Sequence, residues 1–171
     1  MENIRSLLVG KFQDKRFALL GMAVAAVWLI ADYLTKQWAL STLEANVIHV
    51  IDGLLNWRLA FNRGVAFSFM ANWDYTHLQY ALAALAFGVA TGMLYWLTTD
   101  KDKLFQIGVG SIIGGAIGNG IDRLTMGAVI DFIDVYQGNW HFPTFNVADI
   151  AINVGVALII LQSILLWKRS K

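Results

Sequence analysis

Long, uninterrupted apolar runs dominate the chain, separated by two stretches in which apolar and polar residues mix on a shorter period. Four runs stand out: one beginning at Phe17–Ala31, then Leu78–Thr99, Leu104–Ile121 and Ile150–Trp167. A helix rising ~1.5 Å per residue needs about 20 apolar residues to cross the hydrocarbon of a bilayer, and each run approaches that length. The pattern predicts four membrane-spanning helices over 17–38, 78–99, 104–121 and 148–167. Between the first two, Val47–Ile51 and Leu54–Phe61 flank Asp52-Gly53, a dipeptide suited to a type I′ hairpin turn. Ala128–Val135 alternates loosely and leads through Gln137-Gly138-Asn139 into Trp140–Phe142, a second hairpin. The predicted class is therefore an all-α membrane protein with a small outward-facing β-cradle over 47–70 and 128–142, in one domain spanning 1–171.

Composition narrows the function. The 171 residues are 57% hydrophobic and only 15% charged, too apolar for a soluble domain. A net charge of +1, with no clustered basic face, argues against a nucleic-acid partner. The absence of cysteine removes disulfide and thiolate chemistry, and three scattered histidines argue against a zinc site. The first run follows a long basic arm, and no small-residue cleavage site follows it closely. It reads as a retained span and not a removed signal peptide. Basic residues set the orientation: Arg5, Lys11, Lys15, Arg16, Lys101, Lys103, Lys168, Arg169 and Lys171 fall on one side. The other side, with the longer loops, has only Lys36, Arg58, Arg63 and Arg123, so both termini are expected in the cytoplasm. Trp57, Trp73 and Trp140 are expected at the headgroup level.

The polar residues at the outer helix ends carry the candidate chemistry. Asp32 and Lys36, at i and i+4, can pair on one helix face. A charge this near the bilayer needs such a partner or a polar cavity. Asn62-Arg63-Gly64 suits a turn, and equally offers donors to a substrate carbonyl. Gly110, Gly114 and Gly118 on the third helix, like Gly88 and Gly92 on the second, have the spacing that lets membrane helices approach closely. Asp122 and Arg123 read most simply as a structural pair. Asn146 is a natural helix N-cap, which by itself accounts for Asp149 in the first turn beyond it. Asp131 is harder to explain, because it interrupts an apolar strand-like run. Asp134, three residues on, is expected to point to the opposite face and be solvated. If Asp131 and Asp149 meet, like charge and poor solvation make them share a proton. One can then act as base on a water while the other protonates a carbonyl. His49, His77 and His141 read as interfacial or solvated.

These blocks, taken in order, resemble the lipoprotein signal peptidase (signal peptidase II) family. The resemblance is carried by Asp32-x-x-x-Lys36, Asn62-x-Gly64-x-Ala66-Phe67, Gly118-Asn119-x-x-Asp122-Arg123, Val129-x-Asp131-Phe132 and Phe145-Asn146-x-Ala148-Asp149. It implies an aspartic endopeptidase of the bacterial inner membrane, acting near the outer leaflet. Such an enzyme cuts prolipoproteins before a diacylglyceryl-modified cysteine, without metal or cofactor. By the same resemblance Asp131 and Asp149 are the catalytic dyad, with Asn62, Asn119, Arg123 and Asn146 binding substrate or supporting the dyad. Asp32, Lys36, Gly64 and Asp122 stabilise the site. Diacylglyceryl-prolipoproteins and membrane lipid are the implied partners, and a monomer is expected. Family members also carry a helix over the site, which would fall around residues 71–77. Arg63 departs from the family, which commonly has threonine there, and bears on the lip of the pocket. Two other classes fit the residues less well. A proton- or ion-coupled carrier usually places its site near the bilayer midplane, at broken helices. A non-enzymatic assembly factor would tolerate Asp→Asn at 131 or 149.

Overall fold

The computed structural model describes residues 2–44, 46–64, 75–100 and 102–171. Helix α1 runs Glu2–Leu43, α2 Tyr75–Leu97, α3 Lys103–Met126 and α4 Val147–Arg169. All four contain a stretch long and apolar enough to cross a membrane. Strands β1 (Val47–Ile51), β2 (Leu55–Asn62), β3 (Val129–Gln137) and β4 (Trp140–His141) form one antiparallel sheet in that order.

The helices stop where local chemistry stops them. Asp102 caps α3 by accepting from the Leu104 and Phe105 amides at 2.9 and 3.2 Å, and Gly127, at φ 66°, ends it. Both α1 and α3 outrun their expected ends, residues 38 and 121: in α1 Ala39 and Leu43 pack against β3, and in α3 Asp122 finds partners in Lys36 and the Ile130 amide. The expected outer helix over 71–77 coincides at 75–77 with the first turn of α2. Its remainder, the hairpin continuation over 65–69, Trp73 and Lys101 lie outside the described residues.

Helix α3 is the axis of the bundle. Of its membrane-length window 78% is buried, against 17% in each of the other three. Its glycines explain this. A methyl group on Gly114 would sit 2.6 Å from Ala25 O, and one on Gly110 would collide with the Gly21 backbone, so α1 packs directly on this stripe. Gly108 and Gly115 admit α4 in the same way, with Gly155 facing Gly108. Gly88 and Gly92 on α2 behave otherwise: among the described residues nothing lies within 4 Å of a methyl group at either. The expectation that they form a packing seam is corrected, since their face of α2 is open.

The sheet sits over one end of the bundle, where α1 and α3 end and α2 and α4 begin. The β1–β2 turn is not type I′, because Gly53 (φ 76°) has positive φ while Asp52 does not. Leu54 joins the turn instead, its amide donating to Ile51 O at 3.0 Å. Strand β3 does not alternate: from Val129 to Asp134 it is buried on both faces. Phe145 bridges Ile133 on one edge, and β2 covers the other. Phe132 and Ile133 pack with Ala39 and Leu43, while Trp38, Trp57 and Phe132 meet with ring centroids 5.9–6.1 Å apart. This apolar plug fixes β3 against the helix ends.

Candidate active site

Asn146 positions one end of the site because it must cap α4. Its side-chain oxygen accepts from the Asp149 amide at 2.9 Å, and Asp149 returns a carboxylate oxygen to the Asn146 amide at 3.1 Å. That capping box leaves the NH₂ group of Asn146 free to point at β3. It donates to Asp131 Oδ1 at 2.7 Å, with longer approaches to Asn119 Oδ1 (3.1 Å) and Ile130 O (3.3 Å). Asn119, on α3, closes the arc by donating from Nδ2 to Asp149 Oδ1 at 2.8 Å. Asp131 and Asp149 are thus bridged through two amide side chains.

Behind the bridge lies a buried ion cluster. Lys36 Nζ reaches Asp32 Oδ2 at 2.7 Å, Asp122 Oδ2 at 2.8 Å and Asn119 Oδ1 at 3.1 Å. An ammonium has three N–H groups, and all three find acceptors, which is what a cation so buried requires. Asp32 and Lys36 therefore do pair as their spacing predicted. Asp32 also accepts from the Ala148 amide at 2.8 Å, fastening α1 to the start of α4. Asp122 is not the partner of Arg123. It turns to Lys36 and to the Ile130 amide (3.1 Å), while Arg123 Nη1 donates to Asn119 O at 3.1 Å. Adjacent residues on a helix point about 100° apart, and the deeper cation wins the carboxylate. The cluster also fixes the Asn119 amide, since two donors meet its oxygen and the NH₂ is left for Asp149.

Asn62 forms a turn, one of the two roles left open for it, and also meets Asp131. Its side-chain oxygen accepts from the Gly64 amide at 2.9 Å, with Gly64 at φ 74°, so the segment is a turn. Its NH₂ group favours the charged form of Asp131. Burial and the neighbouring Asp149 charge oppose ionisation more strongly, and raise the Asp131 carboxyl from the ordinary 3.8 to about 7. Two buried atoms here have no hydrogen-bond partner among the described residues: Asp131 Oδ2 and Arg123 Nε. The arrangement offers a carboxyl group that keeps its proton to about neutral pH beside a second carboxyl group, with a free donor nearby.

Asp134 corrects an expectation. It is not solvated but fully buried at 0% exposure, bonded to His141 Nδ1 at 2.7 Å and Asn56 Nδ2 at 3.2 Å, with Arg58 Nε at 3.8 Å. The sheet has donors on both of its faces, which strand parity alone does not reveal. His49, His77 and His141 are exposed; His49 bonds to Asn56 at 2.8 Å and His141 to Asp134. Among the described residues no group of three or more His, Cys, Asp or Glu could hold a metal ion. Sequence reasoning did not single out buried Asn56, Gln79, Gln106, Ser111 or Gln162; of these Gln79, near the start of α2, lies nearest the Asn62 turn, its Nε2 donating to Arg63 O at 2.9 Å. Its only signal was a polar amide near the start of a long, mostly apolar run.

Three comparisons bear on this geometry. The family model described as signal peptidase (SPase) II matches residues 24–165. The chain is 45% identical over 145 residues to a lipoprotein signal peptidase of Polynucleobacter necessarius subsp. necessarius (strain STIR1), covering 81% of this chain and 85% of that protein. It is 38% identical over 143 residues to the lipoprotein signal peptidase of Burkholderia pseudomallei (strain K96243), covering 81% and 84%. A solved structure described as a bacterial membrane enzyme at 2.3 Å resolution superposes with a TM-score of 0.75 at 27% identity, over 88% of this chain and 91% of that one.

Proposed function

The chain belongs to the signal peptidase II family, and from that premise we propose that it is an aspartic endopeptidase whose dyad is Asp131 and Asp149. Its substrate is a prolipoprotein, cut before a cysteine that already carries diacylglycerol. The observation that carries this reading is the bridged pair itself: two carboxyl groups joined through Asn146 and Asn119, one of them holding a proton up to about pH 7. In a singly protonated pair, one carboxylate takes a proton from water as the water attacks the scissile carbonyl. The other donates its proton to the oxygen that becomes negative. The proton belongs to the pair and not to one residue. Asp131 Oδ2 and Arg123 Nε are positioned to meet substrate, because each is buried and unpaired among the described residues.

Location supports the same reading. Both acids sit where the sheet meets the helix ends, and not in the middle of a span, so water can reach the bond while the signal helix and acyl chains stay in lipid. We place that end outward, with both termini in the cytoplasm and the enzyme acting as a monomer. Asp32, Lys36 and Asp122 hold Asn119, and Gly64 holds the turn that presents Asn62.

The decisive experiment is cleavage of a diacylglyceryl-modified prolipoprotein by purified protein in detergent. Asp131→Asn and Asp149→Asn should each reduce turnover at least ~10³-fold, the scale of losing an acid–base group, while the protein still elutes as a folded species. EDTA should leave the wild-type rate unchanged. Full activity in either variant would sink the dyad, and loss in EDTA would point to a metal.

A further inference from the structure

Gln79 takes no part in the bridge or the ion cluster, yet it is 3% exposed at the outer end of α2. Its Nε2 is used, donating to Arg63 O. Its Oε1 is buried and has no hydrogen-bond partner among the described residues. The amide cannot simply be reversed, because Oε1 would then face the Arg63 carbonyl, acceptor against acceptor. A buried acceptor without a donor is costly, and such groups in folded proteins are few.

Its position suggests what the acceptor is for. Gln79 shares a helical stripe with Leu82 and Ala86, at i+3 and i+7. Those two and Val89 form one wall of a cavity of about 280 Å³, whose opposite wall holds Asn119, Arg123 and Ile152. Through Arg63 O, Gln79 also grips the turn that carries Asn62 to Asp131. Arg123, across this cavity, holds the complementary orphan: the buried donor Nε. An unpaired donor on a residue of one wall, and an unpaired acceptor one helical turn before the other wall, match the C=O and N–H of an extended peptide backbone.

We propose that Gln79 is a substrate-contacting residue, its Oε1 accepting one backbone N–H of the bound peptide while Arg123 Nε donates to a backbone carbonyl. This rests on the peptidase reading and adds to it a residue that reads main chain instead of side chain. Sequence tolerance at that substrate position follows, because any residue except proline supplies the N–H.

The test is a backbone N-methyl scan of a diacylglyceryl-modified peptide substrate, run on wild type and Gln79→Met. Methionine keeps the length of the side chain but cannot accept the bond. In wild type, one methylated position should raise KM ~10-fold, the scale of one hydrogen bond lost with its partner left buried. Gln79→Met should raise KM about as much on the unmethylated peptide, leave kcat nearly unchanged, and respond less than 2-fold to methylation at that one position. Identical scans for the two proteins, or a loss confined to kcat, would overturn the proposal and reduce Gln79 to a clamp on Arg63. If Gln79→Met does not fold, the wild-type scan decides by itself: a KM unmoved at every methylated position would overturn the proposal. Failure of wild type to cleave any peptide would instead remove the peptidase reading.

Discussion

Asp131 and Asp134 lie three residues apart on β3, and both are buried, at 1% and 0% exposure, yet their surroundings push them in opposite directions. Burial disfavours charge at Asp134 too, but His141, Asn56 and the charge of Arg58 outweigh it and hold its carboxyl below the usual range. At Asp131 burial and Asp149 prevail over Asn62 and Asn146, and one oxygen is left unpaired among the described residues. The first environment is complete and the second is not. A carboxylate whose oxygens are met by donors holds a sheet together. A carboxyl group with one oxygen left unmet and another acid beside it keeps its proton to higher pH, as an acid–base role requires. Burial alone does not tell the two apart; the surrounding donors do.

The largest expected effect is on activity. In the same prolipoprotein assay in which Asp131→Asn loses at least ~10³-fold, Asp134→Asn should stay within ~3-fold of wild type, since its side chain faces the outer network and not the dyad. A collapse of turnover in folded Asp134→Asn would break the division between the two acids.

Stability should separate them next, and with opposite sign. The folded-state value of Asp131 is raised, so between the ordinary carboxylate range and about pH 7 the native protein binds more protons than the unfolded chain. Its contribution to stability therefore falls as pH rises through that window. Asp131→Asn removes the penalty, and its Tm should exceed that of wild type by more at pH 8 than at pH 5. Asp134 is lowered, so its stabilisation is present above the ordinary carboxylate range and is lost as pH falls through its folded value. Asp134→Asn should accordingly melt below wild type at both pH 5 and pH 8, by ~2–4 °C for each kcal/mol lost in a chain this size. Thermal scans of the three proteins in one detergent across that range decide it. A lower Tm for Asp131→Asn at pH 8 would show that its carboxyl group is held by bonds like those of Asp134.

Much of this was legible in the residues. Four helices and a small sheet followed from run length and turn dipeptides, because membrane insertion leaves an apolar helix few alternatives. The anomaly of Asp131 was visible as a charge in an apolar strand. The donors around Asp134 were not, since Asn56, Arg58 and His141 come from two other strands and meet only through register. Asp122 was matched with its neighbour in sequence, whereas its partner Lys36 sits on a helix brought alongside by the glycines of α3. Gly88 and Gly92 showed the same spacing with no helix against them. Spacing announces a face that can pack closely; it does not say that a neighbour is there.

The smallest expected effect tests whether the donors, and not the strand itself, account for Asp134. His141 gives Asp134 Oδ1 its 2.7 Å bond, and its ring stacks on Tyr136 at 5.3 Å and 13°. Phenylalanine preserves the stack and deletes the bond, while Asn56 and Arg58 still face Oδ2. His141→Phe should therefore lower Tm at pH 7 by only a few degrees, the scale of one hydrogen bond to a charged group in a partly exposed pair, and leave prolipoprotein cleavage unchanged. Combining it with Asp134→Asn should cost less than the two separate losses added together, because both remove the same bond. Strictly additive losses in melting temperature would mean that what His141→Phe removes does not act through Asp134, and that Asp134 draws its stability from Asn56 and Arg58.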